Sequence, residues 1–226
     1  MKLTYYGHSC FSVEVKGKTL LFDPFITYNE LANTIIDVDK LEADYILVSH
    51  GHGDHTADLV RIAGRTGAKV ICTYEIHTWL DKQGIGSHPM NTGGKWVFDD
   101  FTVKCVVAQH SSSLPDGSYA GNPLGFIVYT DNGNFYYSGD TALTLDMQLI
   151  PRWAKLNFVV LPIGDNFTMD AADAAEAAKM VGCKTVVGVH YDTFGYITID
   201  HKKAREIFAS AGQTLHLIDI GKSIDL

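Results

Sequence analysis

This 226-residue chain has few charges, no long apolar run and no paired cysteines. No stretch of about 18 or more apolar residues occurs, so no helical membrane span is expected. Met1 to Gly7 lacks the apolar core of a secretory signal. Cys10, Cys72, Cys105 and Cys183 stand singly, without C-x-x-C spacing. They read as buried free thiols, and a reducing, cytoplasmic setting is the expectation. Lys and Arg number 18 against 26 Asp and Glu, a net charge of −8. That balance argues against an extended nucleic-acid surface, which would be basic. Repeats, low-complexity tracts and linkers are also missing, and the length suits one core, so residues 1–226 are expected to form a single domain.

Histidine is present instead, ten residues of it, and it clusters. The apolar run Tyr45-Ile46-Leu47-Val48 reads as a buried parallel strand. It leads directly into Ser49-His50-Gly51-His52-Gly53-Asp54-His55. Open α/β sheets hold their ligands at the carboxyl ends of strands, and imidazole nitrogens with carboxylate oxygens are the donors that zinc and similar ions take. Gly51 and Gly53 let neighbouring side chains turn toward one point.

The same event recurs along the chain. The strand Phe101–Val107 runs into His110, the hairpin Phe126–Ser138 with its Asn-Gly turn ends at Asp140, and Thr185–Val189 delivers His190. Together these give seven donors, His50, His52, Asp54, His55, His110, Asp140 and His190, enough for two ions that share one group. His8, between the first two strands, is a near-site candidate, and Asp23-Pro24 stops the third strand. Asp192 reads either as a support for the ligands or as a turn residue. His77 and His88 read as structural.

A helix is expected near Asp146–Ala154, another from Asp170 to Val181, and a third from Asp200 to Ala211, with Asp170 and Asp200 as N-caps. Residues 111–123 have loop composition throughout, and their place after His110 predicts a flap on the substrate side. Both halves pass from hairpins to βα units, which predicts two sheets packed face to face with helices outside.

The order His-x-His-x-Asp-His at His50–His55, the later His110, the element Ser138-Gly139-Asp140-Thr141 and the strand-end His190 resemble the metallo-β-lactamase superfamily over essentially the whole chain. Tyr6-Gly7-His8-Ser9-Cys10-Phe11, Asp23-Pro24-Phe25 and Asn166-Phe167-Thr168-Met169 resemble its L-ascorbate-6-phosphate lactonase-like branch and the uncharacterised metal-dependent hydrolases near it; Asp165 departs from the small residue of that branch. The resemblance implies an α/β fold, a four-layer αββα sandwich of two mixed sheets. It also implies one ion on His50, His52 and His110, a second on Asp54, His55 and His190, and Asp140 as the bridge. Catalytic roles fall to Asp54, Asp140 and His190, and the resemblance makes His8 and Asp23 near-site residues.

Zinc is the first choice of metal, and manganese, nickel and iron accept the same donors. Paired cations of this kind acidify water, so the expected activity is hydrolysis of a small ester, lactone or phosphodiester. The substrate is expected to be a small molecule, anions included because bound metal reverses the local field. A small-substrate phosphodiesterase is the nearest alternative. A metal-dependent oxidoreductase would carry Glu where His52 stands, and a non-catalytic metal protein would have lost ligands. Homo-oligomerisation is left open.

Overall fold

Alternation of side chains along the strands decides how this chain layers. Residues 1–226 are described by a computed structural model. Its first half runs β1 (Lys2–Gly7), β2 (Cys10–Val15), β3 (Lys18–Phe22), β4 (Tyr45–Leu47), α1 (Gly53–Thr56), α2 (Leu59–Thr66), β5 (Lys69–Thr73), α3 (Tyr74–Asp81) and β6 (Ser87–Met90). The second half runs β7 (Lys95–Val97), β8 (Thr102–Val107), β9 (Leu124–Thr130), β10 (Gly133–Tyr137), β11 (Phe158–Pro162), α4 (Ala171–Met180), β12 (Thr185–Val189), α5 (His201–Ser210), β13 (Thr214–His216) and β14 (Ser223–Asp225). One sheet has the order β14-β1-β2-β3-β4-β5-β6 and the other β13-β12-β11-β10-β9-β8-β7.

Phe11, Val13, Leu20, Phe22 and Leu47 of the first sheet share a core with Phe126, Val128, Phe135, Val160 and Val187 of the second. The intervening residues point the other way. Leu21, Ile46, Val70 and Cys72 pack with Ile62 of α2 and with Ile76 and Leu80 of α3. On the far side, Ile127, Tyr136, Val159 and Val186 pack with the alanine face of α4 and with Phe208 of α5. Both faces of each sheet are therefore apolar, which is why the central strands are unbroken apolar runs. The expected αββα sandwich is what forms. Stacked rings, Phe11 on Phe22 at 4.5 Å and Phe135 on Phe158 at 4.9 Å, fill the space between the sheets. Truncating one such ring to alanine costs about 3–5 kcal/mol.

Asp170 caps α4 by accepting the backbone N–H groups of Ala172 and Asp173, and Asp200 caps α5 through Lys203 N–H. The segment expected as a helix near Asp146–Ala154 is instead a 3-10 helix, Leu145–Arg152, with Pro151 inside it. Proline has no N–H to donate and its ring crowds the preceding turn, so a regular α-helix cannot run through. The carboxyl-terminal strand β14 returns to the first sheet and pairs with β1, Leu3 opposite Ile224. No helix is long and apolar enough to cross a membrane. All four cysteines are buried and free, as expected.

Candidate metal centre

Strand direction explains why donors so distant in sequence meet. β2 lies antiparallel to both β1 and β3, and β3 is parallel to β4, so β1, β3 and β4 all point one way. By the same logic β8 and β10 point with β11 and β12. His8, Asp23 and the His50–His55 loop follow the carboxyl ends of the first set, and His110, Asp140 and His190 follow those of the second. All of them reach one edge of the sandwich.

There two groups of donors have ligating atoms within 4.8 Å of one another, His50, His52 and His110, and His8, Asp54, His55 and His190, and a third set of the same kind, Asp23 with His50 and His55, links them. In the first, His50 Nε2 and His52 Nδ1 are 2.9 Å apart. Asp140 Oδ2 stands between the groups, 3.0 Å from His190 Nε2, 3.2 Å from His55 Nε2 and 3.8 Å from His110 Nε2. All seven sequence-chosen donors are thus brought together, and His8 joins them. Its Nε2 is 3.0 Å from Asp54 Oδ2, and its ring lies 4.2 Å from that of His190.

The surrounding hydrogen bonds determine which nitrogens stay free. Asp23 is fully buried and accepts four donors: Ser49 N–H at 2.7 Å, Ser49 Oγ at 2.6 Å, His55 Nδ1 at 2.8 Å and the Tyr137 hydroxyl at 2.5 Å. Because Ser49 spends its hydroxyl proton on Asp23, its oxygen accepts from His50 Nδ1 at 2.9 Å. A proton on Nδ1 of His50 leaves its Nε2 lone pair facing the cluster, and Asp23, by taking Nδ1–H of His55, turns the Nε2 of that ring toward the cluster as well, the arrangement that carboxylate–imidazole pairs impose at metal sites. At His8, Asp54 can only accept, so Nε2 carries the proton and Nδ1 accepts from Thr193 Oγ at 3.0 Å.

The electrostatics suit a cation. Burial and the adjoining His55 push His50 well below the usual imidazole range. Burial also lowers His52 and His110, and burial with His190 takes His8 down to about 4. These imidazoles are therefore neutral donors at neutral pH. Burial alone would raise Asp140, but His190 and His55 hold it well below its usual range; Asp54 is held low against burial by His55 and His8. Burial would lower His55, yet Asp140, Asp54 and Asp23 together hold it well above the usual value. Three carboxylates around one imidazole make a focus of negative potential. His55 Nε2 and Asp140 Oδ1 are buried without any hydrogen-bond partner. Buried polar atoms seldom go unpaired. A set of neutral imidazoles, two anionic carboxylates and orphaned donor atoms fits divalent cations.

Above the cluster opens a cleft of about 730 Å³, with Asp54, Asp140, His52, His110 and His190 on its floor and Phe25, Phe167, Phe194 and Tyr196 among its walls. Residues 111–123 do not form the expected flap and give the cleft only Ser111. They fold back behind the motif: Ser112 Oγ accepts Gly51 N–H at 3.1 Å, and a Cβ on Gly51 would collide with Ala120 and stand 2.8 Å from the Ser113 carbonyl oxygen. Asp192 is a turn brace, bonded to Ile199 N–H at 3.0 Å and His201 Nε2 at 2.6 Å, and supports no ligand directly. His77 bonds Ser87 at 2.7 Å, and His88 packs on Trp96 and Phe98, both away from the cluster. Sequence reasoning missed the roles of Ser49, Tyr137, Thr193 and the aromatic wall; Ser49, inside the motif, and Phe25 and Phe167, inside the strings that carry the resemblance, had a signal.

Residues 18–191 match the family described as Beta-lactamase superfamily domain. The chain is 50% identical over 226 residues to a UPF0173 metal-dependent hydrolase of Flavobacterium johnsoniae, covering 100% of each chain. A second relative of the same description, from Christiangramia forsetii, is 48% identical over 226 residues, again covering 100% of each. Among solved structures, Igni18, a metallo hydrolase from the hyperthermophilic archaeon Ignicoccus hospitalis, is similar with a TM-score of 0.89 at 34% identity, covering 99% of this chain and 97% of that one. Strand-end donors, paired sheets and full-length similarity agree, and this chain belongs to the UPF0173 metal-dependent hydrolases of the metallo-β-lactamase superfamily.

Proposed function

We propose that the protein cleaves a small ester, lactone or phosphodiester with two divalent cations, zinc first among them. His50, His52 and His110 would hold one and Asp54, His55 and His190 the other, with Asp140 shared. The observation that carries this reading is Asp140 Oδ2, which has imidazole nitrogens of both groups within 3.0 to 3.8 Å. Cations bound there supply Lewis acidity, both to acidify water and to polarise the bond under attack.

The chain's own groups do the rest. Asp54 stays anionic because His55 and His8 oppose the effect of its burial, and its carboxylate is partly open to the cleft. So low a proton affinity suits it to orient an attacking water as an acceptor rather than to store a proton. His8 Nε2–H fixes the Asp54 oxygen, and Thr193 fixes His8. Asp23 keeps the imidazoles of His50 (through Ser49) and His55 in one tautomer and rotamer. A substrate seated between the aromatic walls would displace water from the floor, which would strengthen every charge interaction there.

Elemental analysis of the purified protein beside Asp140→Ala tests the reading. About two metal ions per chain in the parent, with at least one lost in the variant together with about a thousand-fold fall in ester turnover, is the expected result. Unchanged metal content and turnover in Asp140→Ala would overturn it.

A further inference from the structure

Each sheet ends in two edge strands, and the four edges are not alike. β6 carries Pro89, which has no N–H to offer a neighbour, and ends in the buried Met90. β13 centres on the buried Leu215, and β14 carries the carboxylate of Asp225. On β7 every residue, Lys95, Trp96 and Val97, is exposed, Trp96 to 53% and Val97 to 70%. The usual guard of such an edge is a charged side chain standing across it. Lys95 does not stand there: its Nζ lies back over the ring of Tyr129 on β9, 5.2 Å from the ring centre.

Only half of the β7 backbone is engaged. Phe98 N–H donates to the Phe101 carbonyl at 2.8 Å and Cys105 N–H to the Gly94 carbonyl at 2.9 Å, so Gly94, Trp96 and Phe98 turn their backbone groups toward β8. Alternation then turns the N–H and C=O groups of Lys95 and Val97 outward, with no strand beyond them. Side chains alternate as well. Trp96 and Phe98 both pack on His88, with ring centres at 4.8 and 5.2 Å, and Lys95 and Val97 take the opposite face.

The order of residues along this edge is complementary to itself. When a second copy lies antiparallel about a two-fold axis at Val97, Val97 faces Val97, Trp96 faces Phe98, and Lys95 faces Asp99, the exposed residue that opens the hairpin turn. The central pair has its backbone groups turned outward in both copies, so it can exchange two hydrogen bonds. Aromatic, β-branched and opposite-charge pairs are favourable cross-strand neighbours. Of the two outward-turned residues only Val97 suits the axis, because Lys95 there would meet the ammonium group of its own copy. Beside the edge, a groove of about 390 Å³ between Tyr74 and Trp96 adds apolar surface to that of the strand, with Tyr74 62% exposed. From this we infer that β7 is an interface between two copies of this chain, paired antiparallel about Val97 so that two seven-stranded sheets join end to end.

Sedimentation equilibrium of the full chain tests it. A mass that rises with concentration to that of two chains is expected. Val97→Lys places two ammonium groups on the axis at an exposed position and should weaken association at least about ten-fold, with the fold retained by circular dichroism. Charge reversal is the sharper measurement. Lys95→Asp and Asp99→Lys should each weaken self-association about ten-fold, since like charges then meet across the axis. An equimolar mixture of these two variants should recover the mass of two chains, because each supplies the charge the other needs, and mixing would not rescue a misfolded chain. Under mild oxidation Val97→Cys should give a covalent pair of chains, whereas Ser223→Cys on the edge strand β14 should not; Cα atoms of such a hydrogen-bonded pair lie about 5.5 Å apart, within disulfide reach. A single-chain mass for the parent up to about 1 mM would overturn the interface and leave β7 open to another strand or to solvent. Paired chains that Val97→Lys leaves unchanged, with the charge-reversed variants associating as well alone as mixed, would overturn it by placing the contact elsewhere.

Discussion

Asp23 Oδ2 lies 2.8 Å from His55 Nδ1, and the same oxygen takes the Ser49 hydroxyl that orients His50. One buried carboxylate thus sets the imidazoles of both donor groups. Asp23→Asn keeps the shape but removes the charge, and the amide nitrogen would face donors it cannot accept. Metal affinity is expected to fall about 10- to 100-fold, the usual result of removing such a support. Titration with a chromogenic zinc chelator measures it, and an affinity within two-fold or so of the parent would refute the role.

Acid should destabilise the metal-free protein in a defined interval. Burial keeps His8, His50, His52 and His110 neutral in the fold, whereas the same side chains protonate near pH 6.5 once unfolded. The unfolded chain therefore binds more protons, and stability falls as pH drops from about 6 toward about 4, where His8 itself protonates. His55 is held high and is charged in both states across most of this interval, so its contribution is lost only at higher pH. Asp140 and Asp54 are held low and withdraw their contribution below about pH 4. Urea unfolding of chelator-treated protein at about pH 6 and about pH 4.5 should differ by at least about 2 kcal/mol. A flat profile would mean that these rings are hydrated.

His8 is expected to act on Asp54. Its Nε2–H gives Asp54 a charge-assisted hydrogen bond, and such a bond contributes about 1.5–3 kcal/mol. His8→Phe preserves a ring against His190 and Phe194 but donates nothing. Turnover should fall about 10- to 100-fold, with KM nearly unchanged and the fold retained by circular dichroism. His8→Gln, which can still donate, should recover part of the loss. Equal rates for His8→Phe and the parent would reduce His8 to a packing residue.

Much of the convergence of these side chains on one edge is legible in the sequence, for a physical reason. A strand buried on both faces is an unbroken apolar run, so a polar donor placed directly after it, as at His50, Asp140 or His190, stands out. The layering was readable because hairpins and βα units follow different periodicities. The aromatic wall was not. Phe167, Phe194 and Tyr196 sit in loops without periodicity, and only the tertiary fold brings residues 25, 167 and 194–196 together. Residues 111–123 misled because loop composition reports exposure of backbone and not the surface the loop will pack on. The return of β14 to β1 depends on a pairing across the whole chain, for which a three-residue strand carries no local signal.

That misread loop supplies a last prediction. Gly51 separates His50 from His52, and the space a side chain would need there is already taken by Ala120 and the Ser113 carbonyl. In Gly51→Ala either the 113–120 segment moves out or the two imidazoles lose their 2.9 Å approach. Overpacking of this sort costs about 1–3 kcal/mol. If each group holds one ion, as proposed, the loss should be uneven: the His50, His52 and His110 group should release its ion at lower chelator concentration, while the group containing His55 and His190 keeps its own. Adding Ala120→Gly removes one of the two collisions and leaves the backbone oxygen in place. The double variant should therefore regain only part of the stability, a coupling of about 0.5–2 kcal/mol by urea unfolding. Full additivity of the two changes, with both ions bound as in the parent, would show that the loop does not back the motif.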